Sequence, residues 1–328
     1  MRVLVTGAAG FIGSNFVKRV TRAGDSVAVL DKLSYSGNRA NLDGVEHDFF
    51  HGDICDPEAV AQAAAGCEAI VNFAAETHVD RSILGPAEFI QTDIAGAQVL
   101  LEHARHAGIR LVHVSTDEVY GDLEGGGRAK ETDPLRPSSP YSASKAGGDL
   151  QVLAYVRTFG VAACITRGAN TYGPYQYPEK MLPLFITNVL DGQPVPVYGD
   201  GRQVREWLHA DDHCAGVELV LREGVSGEIY NVGGEEHENL EVTRRVLELT
   251  GGDESLIRHV EDRPGHDRRY ALDDSKLREL GWTPQHAFAD GLVDTVAWYR
   301  DNRAWWEPIK SGEFRAYYEA QYAGRLAG

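Results

Sequence analysis

The chain has 328 residues, of which 43% are hydrophobic, so it is long enough to form one large core or two smaller cores. Asp and Glu number 49 against 32 Lys and Arg, and the net charge of −17 argues against nucleic acid or an anionic membrane as a partner. No window of about 18 apolar residues is present, so we expect no membrane-spanning segment.

The cysteines and the N-terminus predict a cytoplasmic protein. Cys55, Cys67, Cys164 and Cys214 are scattered and form no CxxC pair, which argues against a metal site and against a disulfide framework. The first apolar run is too short for a signal peptide and leads directly into glycines. A cytoplasmic location with reduced thiols fits these features best.

The first half of the chain alternates short apolar runs with longer segments of helical periodicity. The apolar runs are continuous, as in strands buried on both faces, and strands that alternate with helices are typical of a parallel sheet covered on both sides. We therefore predict an α/β fold with a Rossmann-type, doubly wound parallel sheet. The predicted strands are Val3–Thr6, Ser26–Asp31, Glu46–Gly52, Ala69–Ala74, Arg110–Ser115 and Val161–Thr166, and the predicted helices are Phe11–Ala23, Pro57–Ala65, Ala87–Ala107 and Tyr141–Phe159.

The second half is less regular and predicts a smaller C-terminal substrate-binding domain. Gly168–Lys180 is rich in glycine, proline and tyrosine and indicates a loop. We assign residues 1–170 to the Rossmann-type domain, with returning segments near 204–232, and residues 171–203 and 233–328 to the substrate-binding domain. The remaining predicted elements are helices at Leu182–Asp191, Asp211–Arg222, Leu240–Thr250 and Phe288–Arg303 and strands at Val195–Tyr198 and Glu228–Val232.

A glycine-rich turn follows the first predicted strand. The segment from Gly7 to Gly13 reads GAAGFIG, which is GxxGxxG rather than GxGxxG. Glycines allow a tight turn and a close approach of the backbone to a pyrophosphate, and the next helix presents free N–H groups to it. Because the motif follows a strand and opens a helix, it predicts dinucleotide binding, with a purely structural turn as the alternative.

The residue that ends the second predicted strand, Asp31, favours NAD over NADP. An acidic side chain there accepts hydrogen bonds from both ribose hydroxyls and repels a 2′-phosphate, although the adjacent Lys32 argues in the other direction. Asp53 and Ile54 follow the third strand and are expected near the adenine. The candidate cofactor-binding residues are Gly7, Gly10, Phe11, Ile12, Gly13, Asp31, Lys32, Ser34, Asp53, Ile54, Ala74, Ala75, Thr92, Tyr141 and Lys145.

Tyr141 and Lys145 form a YxxxK pair on a predicted helix. The spacing places both side chains on one helix face, about one turn apart. A free tyrosine is a poor base at neutral pH, and a nearby ammonium group lowers its pKa. The pair is common by chance, but its position after a dinucleotide motif and the fifth strand predicts a catalytic base.

The fifth strand leads into Thr116, Asp117 and Glu118. Thr116 is a neutral hydroxyl that can bond a reacting sugar oxygen. Adjacent carboxylates near a dinucleotide site can divide acid and base roles when their environments separate their pKa values, whereas a solvated acidic turn or a helix cap is the plainer interpretation. A simple dehydrogenase does not need such a pair, but an elimination does. The candidate catalytic residues are Thr116, Asp117, Glu118, Tyr141 and Lys145.

Motifs spread along the chain carry a resemblance to a known family. They are the segments Gly7–Gly13, Asp31–Asn38, Thr116–Gly121, Tyr141–Lys145, Asn170–Lys180 and Arg263–Tyr270. Together these motifs resemble the dTDP-glucose 4,6-dehydratases, which belong to the extended short-chain dehydrogenase/reductase superfamily, over a span from Arg2 to about Tyr299. The Thr-Asp-Glu triplet discriminates, because related epimerases usually carry small residues in place of the acidic pair and related decarboxylases usually lack the aspartate.

The resemblance implies a reaction and a role for each catalytic residue. Tyr141 removes the proton of the sugar 4-hydroxyl while hydride passes from C4 to NAD. Glu118 then removes the C5 proton, Asp117 protonates the departing 6-hydroxyl, and hydride returns to C6. The implied product is dTDP-4-keto-6-deoxyglucose, with NAD regenerated in each turnover.

The resemblance also implies a clamp for the nucleotide sugar and a homodimer. The chain departs from the family at Thr171 and Glu206, where asparagine and aspartate are usual, and this leaves room for altered nucleotide or sugar preference. The implied dimer is built on Ala87–Ala107 and Tyr141–Phe159. A 4-epimerase, a decarboxylase and a non-catalytic NAD-sensing regulator remain alternatives. The candidate substrate-binding residues are Thr77, Thr116, Asn170, Glu179, Lys180, Tyr198, Arg205, Asn239, Arg263, His266 and Tyr270.

Overall fold

A computed structural model describes residues 1–326 of the chain. Its strands are β1 Arg2–Thr6, β2 Ser26–Asp31, β3 Asp48–His51, β4 Ala69–Asn72, β5 Arg110–Thr116, β6 Ala163–Gly168, β7 Asn170–Tyr172, β8 Val195–Tyr198, β9 Val204–His209, β10 Ile229–Val232, β11 Glu235–Glu238 and β12 Ile257–Val260. Its helices are α1 Phe11–Arg22, α2 Pro57–Ala63, α3 Val79–Leu84, α4 Pro86–Ile90, α5 Ala97–Ala107, α6 Pro140–Phe159, α7 Met181–Leu190, α8 Ala210–Glu223, α9 Asn239–Thr250, α10 Ser275–Glu279, α11 Phe288–Asp301, α12 Arg303–Trp306 and α13 Glu313–Leu326.

Seven of the strands form one parallel sheet in the order β10-β6-β5-β4-β1-β2-β3. Side chains that alternate along β1 pack into different cores: Val3 and Val5 join a cluster with α1 and α8, whereas Leu4 joins a cluster with α2, α5 and α6. All three are fully buried. The sheet is therefore covered on both faces, which explains its continuous apolar strands and confirms the predicted doubly wound architecture.

The strand order reverses between β1 and β4, because the chain leaves β1 towards β2 and later returns on the other side of β1. Open parallel sheets bind ligands at such a point, outside the carboxyl ends of the strands. The glycine turn after β1, the segment after β4 and the end of β5 all meet there. This edge of the sheet positions the candidate site.

Two small sheets stand beside the large one, with strand orders β11-β9-β7 and β12-β8. A second apolar core, formed by residues between 172 and 322, packs around them and includes α7, α9 and α11. Within the segment near 204–232, α8 and β10 return to the large sheet, whereas β9 belongs to the three-stranded sheet. We retain the predicted division of the chain into two domains as a proposal.

Two predicted elements differ from the structure. The predicted loop Gly168–Lys180 was wrong in part, because it contains β7, which pairs with β9. The predicted helix Ala87–Ala107 is helical, but its centre, Gln91–Gly96, is a π-helix that joins α4 to α5. Both differences depend on partners distant in sequence. Among the described helices, none combines the length and apolarity needed to cross a membrane.

Candidate active site

The glycine turn forms a cradle at the start of α1. Gly7 has a positive φ of 66°, and a Cβ atom on it would lie 2.6 Å from the Ala74 backbone nitrogen. A Cβ atom on Gly13 would lie 2.5 Å from the Gly7 carbonyl oxygen. No side chain caps α1, and its first turn contains no acidic residue. The free N–H groups of that turn therefore suit an anion such as a pyrophosphate.

Asp31 lies at the edge of this cradle, and its carboxylate is held in place by backbone groups. Oδ2 accepts a hydrogen bond from the Ala9 N–H at 2.9 Å, and Oδ1 accepts one from the Leu33 N–H at 2.7 Å. Burial raises the pKa of Asp31, and these two backbone bonds oppose the shift. The carboxylate faces the cavity as a fixed acceptor.

The ammonium group of Lys32 is paired with acidic side chains. Lys32 therefore no longer argues for NADP, as it did in the sequence. Its Nζ lies 3.0 Å from Glu76 Oε1 and 3.8 Å from Asp53 Oδ2, and it donates to Thr92 Oγ1 at 3.3 Å. A cation with these partners is not directed at a 2′-phosphate beside Asp31. The site therefore favours the unphosphorylated ribose.

A cavity of about 260 Å³ brings the predicted cofactor-binding residues together. Every one of them lines it, namely Gly7, Gly10, Phe11, Ile12, Gly13, Asp31, Lys32, Ser34, Asp53, Ile54, Ala74, Ala75, Thr92, Tyr141 and Lys145. The five predicted catalytic residues line the same cavity. The cofactor-binding and catalytic candidates therefore share one crevice, which has the glycine cradle in one region and the ionisable catalytic groups in another.

Tyr141 and Lys145 are held on the first turns of α6. Ser139 begins this helix with a capping box, in which its hydroxyl accepts from the Ser142 N–H and the Ser142 hydroxyl accepts from the Ser139 N–H. The Tyr141 ring packs edge-on against Phe89, with centroids 6.3 Å apart. Lys145 is buried, and its Nζ donates to the Val114 carbonyl oxygen at 2.8 Å.

The sequence predicted that Lys145 would lower the pKa of Tyr141, and for this structure that prediction is wrong. The pKa of Tyr141 is raised well above its ordinary value, first by burial of the phenol and then by the negative charges of Glu118 and Asp93. Hydrogen bonding with Thr116 acts in the opposite direction. Burial, together with the surrounding acids, therefore sets a raised pKa for Tyr141, an outcome that helix spacing alone does not reveal.

Asp117 is the more strongly perturbed of the two adjacent carboxyl groups. It lies on the short 3₁₀ turn that follows β5, and burial together with the neighbouring Glu118 raises its pKa to about 8. Its Oδ1 accepts from the Thr116 hydroxyl at 2.9 Å, whereas its buried Oδ2 has no hydrogen-bond partner among the described residues. Asp117 is accordingly protonated at neutral pH and suited to act as an acid.

Glu118 stands in a more positive environment than Asp117. Burial raises its pKa as well, but three cations oppose the shift: Arg263, Lys180 and Arg205. These cations favour the ionised form of Glu118. The two carboxyl groups thus differ in the way that a division into acid and base requires.

A second cavity of about 140 Å³ adjoins the first, and Glu118, Asn170, Glu179 and Lys180 line both. Of the predicted substrate-binding residues, Thr77 and Thr116 line the first cavity only, and the others on the second are Tyr198, Arg205, Asn239, Arg263 and His266. Three buried polar atoms of the predicted residues on this lining have no hydrogen-bond partner among the described residues: Asn170 Oδ1, Asn239 Oδ1 and Arg263 Nε. Such atoms suit a polar ligand.

Several predicted substrate-binding residues bond other parts of the protein, and Glu179 and Tyr270 are two of them. Glu179 accepts from the Tyr35 hydroxyl at 2.7 Å and from Arg81 Nε at 2.9 Å. Tyr270 lines neither cavity, and instead it lies beneath the guanidinium group of Arg205, 4.3 Å from the ring centroid. Glu179 and Tyr270 therefore stabilise neighbouring side chains at the site, a role that the sequence did not predict for either residue.

Sequence reasoning missed two acidic residues beside the cavities. Asp80 accepts from Arg263 at 3.2 Å and from the Tyr198 hydroxyl at 3.0 Å. Asp93 is buried behind Tyr141 and Lys145. Neither belongs to a motif, and only contacts between elements distant in sequence reveal them.

The fold and the site together define a class, the extended short-chain dehydrogenases/reductases. The comparisons agree with it, since a family model described as GDP-mannose 4,6 dehydratase matches residues 4–295. A dTDP-glucose 4,6-dehydratase from Streptomyces niveus is 56% identical over 324 residues, which cover 95% of this chain and 96% of that protein. The chain belongs to the GDP-mannose 4,6-dehydratase family, and the resemblance to dTDP-glucose 4,6-dehydratases that its motifs predicted is confirmed.

Solved structures extend the likeness to the fold. DesIV, a dTDP-glucose 4,6-dehydratase from Streptomyces venezuelae crystallised with NAD and dTDP, is 55% identical, with a TM-score of 0.92 over 94% of this chain and 100% of that chain. A UDP-glucose 4-epimerase from Thermus thermophilus in complex with NAD is 37% identical, with a TM-score of 0.86 over 92% of this chain and 100% of that chain. Because the fold is shared with an epimerase, the residues of the site must decide the activity.

Proposed function

We propose that this protein is an NAD-dependent dTDP-glucose 4,6-dehydratase, a hydro-lyase that forms dTDP-4-keto-6-deoxyglucose. The observation that carries the proposal is the adjacent pair Asp117 and Glu118: burial and Glu118 raise the pKa of Asp117 to about 8, whereas cations oppose the rise in the pKa of Glu118. An epimerase or a simple dehydrogenase needs no such acid and base in addition to Tyr141. The names of the relatives support the same activity.

The residues present fit NAD. The glycine cradle at Gly7 and Gly13 would accept the pyrophosphate, and Asp31 would accept hydrogen bonds from the ribose hydroxyls. Thr92 and the other cofactor-binding residues that line the first cavity would hold the remaining parts. When bound, NAD would supply the oxidant for sugar C4 and the reductant for C6.

The chain's own residues perform the proton transfers. Tyr141 takes the proton of the sugar 4-hydroxyl, with Thr116 as a hydrogen-bonding neighbour. Glu118, whose ionised form the surrounding cations favour, takes the proton at C5, which a 4-keto group makes acidic. Asp117 is protonated at neutral pH and gives its proton to the departing 6-hydroxyl.

We assign the second cavity to the nucleotide diphosphate. Lys180, Arg205 and Arg263 line it, and they concentrate positive charge on a chain whose net charge is −17. Arginine suits bidentate contact with phosphate. The unpaired amide oxygens of Asn170 and Asn239 would accept hydrogen bonds from hydroxyl or N–H groups of the nucleotide sugar, and the remaining candidates His266 and Tyr198 lie on the same wall.

We expect the Asp31→Asn variant to lose selectivity between NAD and NADP. Asparagine keeps an acceptor for the Leu33 N–H but removes the charge that repels a 2′-phosphate and that strengthens the bonds to the ribose. The Kd for NAD should rise about tenfold while that for NADP falls. Titration of both dinucleotides measures the ratio. Asp48→Asn, on the exposed edge strand β3, is the matched control, and an unchanged ratio in Asp31→Asn would refute the assignment.

We expect turnover to fall as pH rises through about 8. Asp117 has a raised pKa of about 8 and acts in its protonated form, so its contribution is full below that pH and is lost above it. The dependence of kcat on pH measures the descending limb. In Asp117→Asn that limb should vanish together with most of the activity. A wild-type profile that stays flat to well above pH 8 would remove Asp117 as the acid.

We further propose a homodimer built on α4, α5 and α6. Several large apolar side chains are exposed on α3, α4 and α6, including Leu84 (74%), Ile90 (57%), Leu150 (56%) and Phe159 (49%). Exposed apolar groups clustered on adjacent helices mark an interaction surface. Sedimentation equilibrium should give twice the chain mass of 35.9 kDa, and a monomer at micromolar concentration would overturn the proposal.

We propose a cytoplasmic location, because all four cysteines are free thiols, which a reducing compartment preserves. Recovery of the protein with the soluble cytoplasmic fraction of its cell would support this location. Recovery outside the cell membrane would contradict it.

The experiment that tests the activity is incubation of the purified protein with dTDP-glucose, and separately with UDP-glucose, in deuterated water. Loss of water with one deuterium at C5 supports the dehydratase, and the two rates compare the nucleotides. Inversion at C4 without loss of water would instead indicate an epimerase, and loss of carbon dioxide from a uronate substrate would indicate a decarboxylase. No reaction in any arm, with NAD added, would favour a non-catalytic NAD-binding protein.

A further inference from the structure

A buried carboxylate that the proposed mechanism does not use lies behind Tyr141 and Lys145. Asp93 is 2% exposed. Its Oδ2 accepts from the Ser144 hydroxyl at 2.6 Å, and its Oδ1 accepts from the Glu76 N–H at 3.2 Å. It therefore bridges the helix that carries the catalytic pair and the segment that follows β4.

The local structure brings Asp93 unusually close to α6. Asp93 belongs to the π-helical segment, and α6 faces that segment with Gly147 and Gly148. A Cβ atom on Gly148 would lie 2.6 Å from the Asp93 carbonyl oxygen, and one on Gly147 would lie 2.5 Å from Ile94 Cδ1. Two adjacent glycines thus permit the approach, and π-helical turns often occur at functional sites.

We propose that Asp93 is a positioning residue whose negative charge controls how readily Tyr141 gives up its proton. Above a pKa of about 6, to which burial raises it, Asp93 is ionised, and Lys145 favours this charged form. The charge of Asp93 in turn raises the pKa of Tyr141. At neutral pH, the charge of Asp93 therefore makes Tyr141 harder to deprotonate than it would be beside a neutral residue. The proposal rests on the proposed function only in giving Tyr141 the role of base.

Other ionisable groups face Asp93 and Tyr141. Glu76 lies beside Asp93, raises its pKa and is paired with Lys32 at 3.0 Å. Glu118 and Asp117 face Tyr141 from the cavity side and also raise its pKa. Nε2 of His113 would lie 3.1 Å from a Cβ atom on Gly148. Burial and Lys145 lower the pKa of His113 well below the ordinary value, so it is neutral.

Asp93→Asn isolates the charge, because every hydrogen bond at this position has an equivalent in the variant. The asparagine Oδ1 accepts from the Glu76 N–H, and its Nδ2 donates to the Ser144 hydroxyl. That hydroxyl already lies 2.8 Å from the Tyr141 carbonyl oxygen and donates to it instead. The variant therefore changes the electrostatics of the pair while keeping its packing.

The test is the dependence of kcat on pH in wild type and Asp93→Asn. We expect the limb that reports Tyr141, which its raised pKa places on the alkaline side of the limb set by Asp117, to move towards acid by about one pH unit. That is the size expected for two charges about 10 Å apart at an effective dielectric constant of about 20. A shift smaller than about 0.3 unit, or one towards alkali, would overturn the proposal. Ser144→Ala keeps the charge but removes a hydrogen bond. A shift there as large as in Asp93→Asn would show that packing is responsible, and would equally overturn it.

A second readout does not depend on turnover. Phenolate absorbance is titrated in each protein and in its Tyr141→Phe counterpart, so that the difference reports Tyr141 alone. A lower midpoint in Asp93→Asn supports the proposal, whereas equal midpoints, or no Tyr141 phenolate in either protein, overturn it. If the protein proves not to be a dehydratase, this titration still decides the role of Asp93.

Discussion

The Glu118→Gln variant should lose about 10²- to 10⁴-fold in overall turnover, which is the usual contribution of a positioned general base. Glutamine matches the shape of glutamate but does not accept the proton at C5. Arg263, Lys180 and Arg205 favour the ionised form of Glu118 in the wild type, and they would tolerate a neutral amide at the same position. Tyr141 is unchanged in the variant, so oxidation at C4 should persist while elimination stops.

Two measurements locate the block in Glu118→Gln. Addition of dTDP-glucose should produce the near-ultraviolet absorbance of reduced NAD, which then persists. Deuterium from the solvent should no longer enter C5. Glu124→Gln, in the exposed loop after the same 3₁₀ turn, is a matched control and should behave as wild type. Full turnover in Glu118→Gln without that absorbance would show that another group removes the proton.

The parts of the site that the sequence predicted are those that local pattern defines. Gly7 to Gly13 and Asp31 follow strands directly, and Tyr141 and Lys145 are related by one helical turn, so each motif carries its own geometry. The first cavity accordingly contains every predicted cofactor-binding residue. The sheet was predictable for the same reason, because continuous apolar runs alternate with helical segments.

The features that the sequence did not predict depend on contacts between distant segments. β7 is three residues long and exists through its pairing with β9. Glu179 belongs to a motif, yet its partners Tyr35 and Arg81 come from other elements. The pKa of Tyr141 is governed by burial, a tertiary property that the spacing to a lysine does not contain.

The Tyr141→Phe variant should also lose about 10²- to 10⁴-fold in turnover, but at an earlier step than Glu118→Gln. Phenylalanine keeps the edge-on contact with Phe89 and the apolar cluster around it, so the fold of α6 should be preserved. The hydroxyl that takes the proton of the sugar 4-hydroxyl is absent. Oxidation at C4 should therefore fail, and no absorbance of reduced NAD should appear when dTDP-glucose is added.

Comparison of Tyr141→Phe with Glu118→Gln tests whether Tyr141 acts before Glu118 in the reaction. Tyr155→Phe removes a hydroxyl from the same helix and should leave the kinetics unchanged, since Tyr155 bonds Glu102 and Gln98 outside the site. The double variant of Tyr141 and Glu118 should resemble Tyr141→Phe, because a block at oxidation hides a block at elimination. Accumulation of reduced NAD in the double variant would contradict this order, since it would mean that C4 is oxidised without Tyr141 as the base.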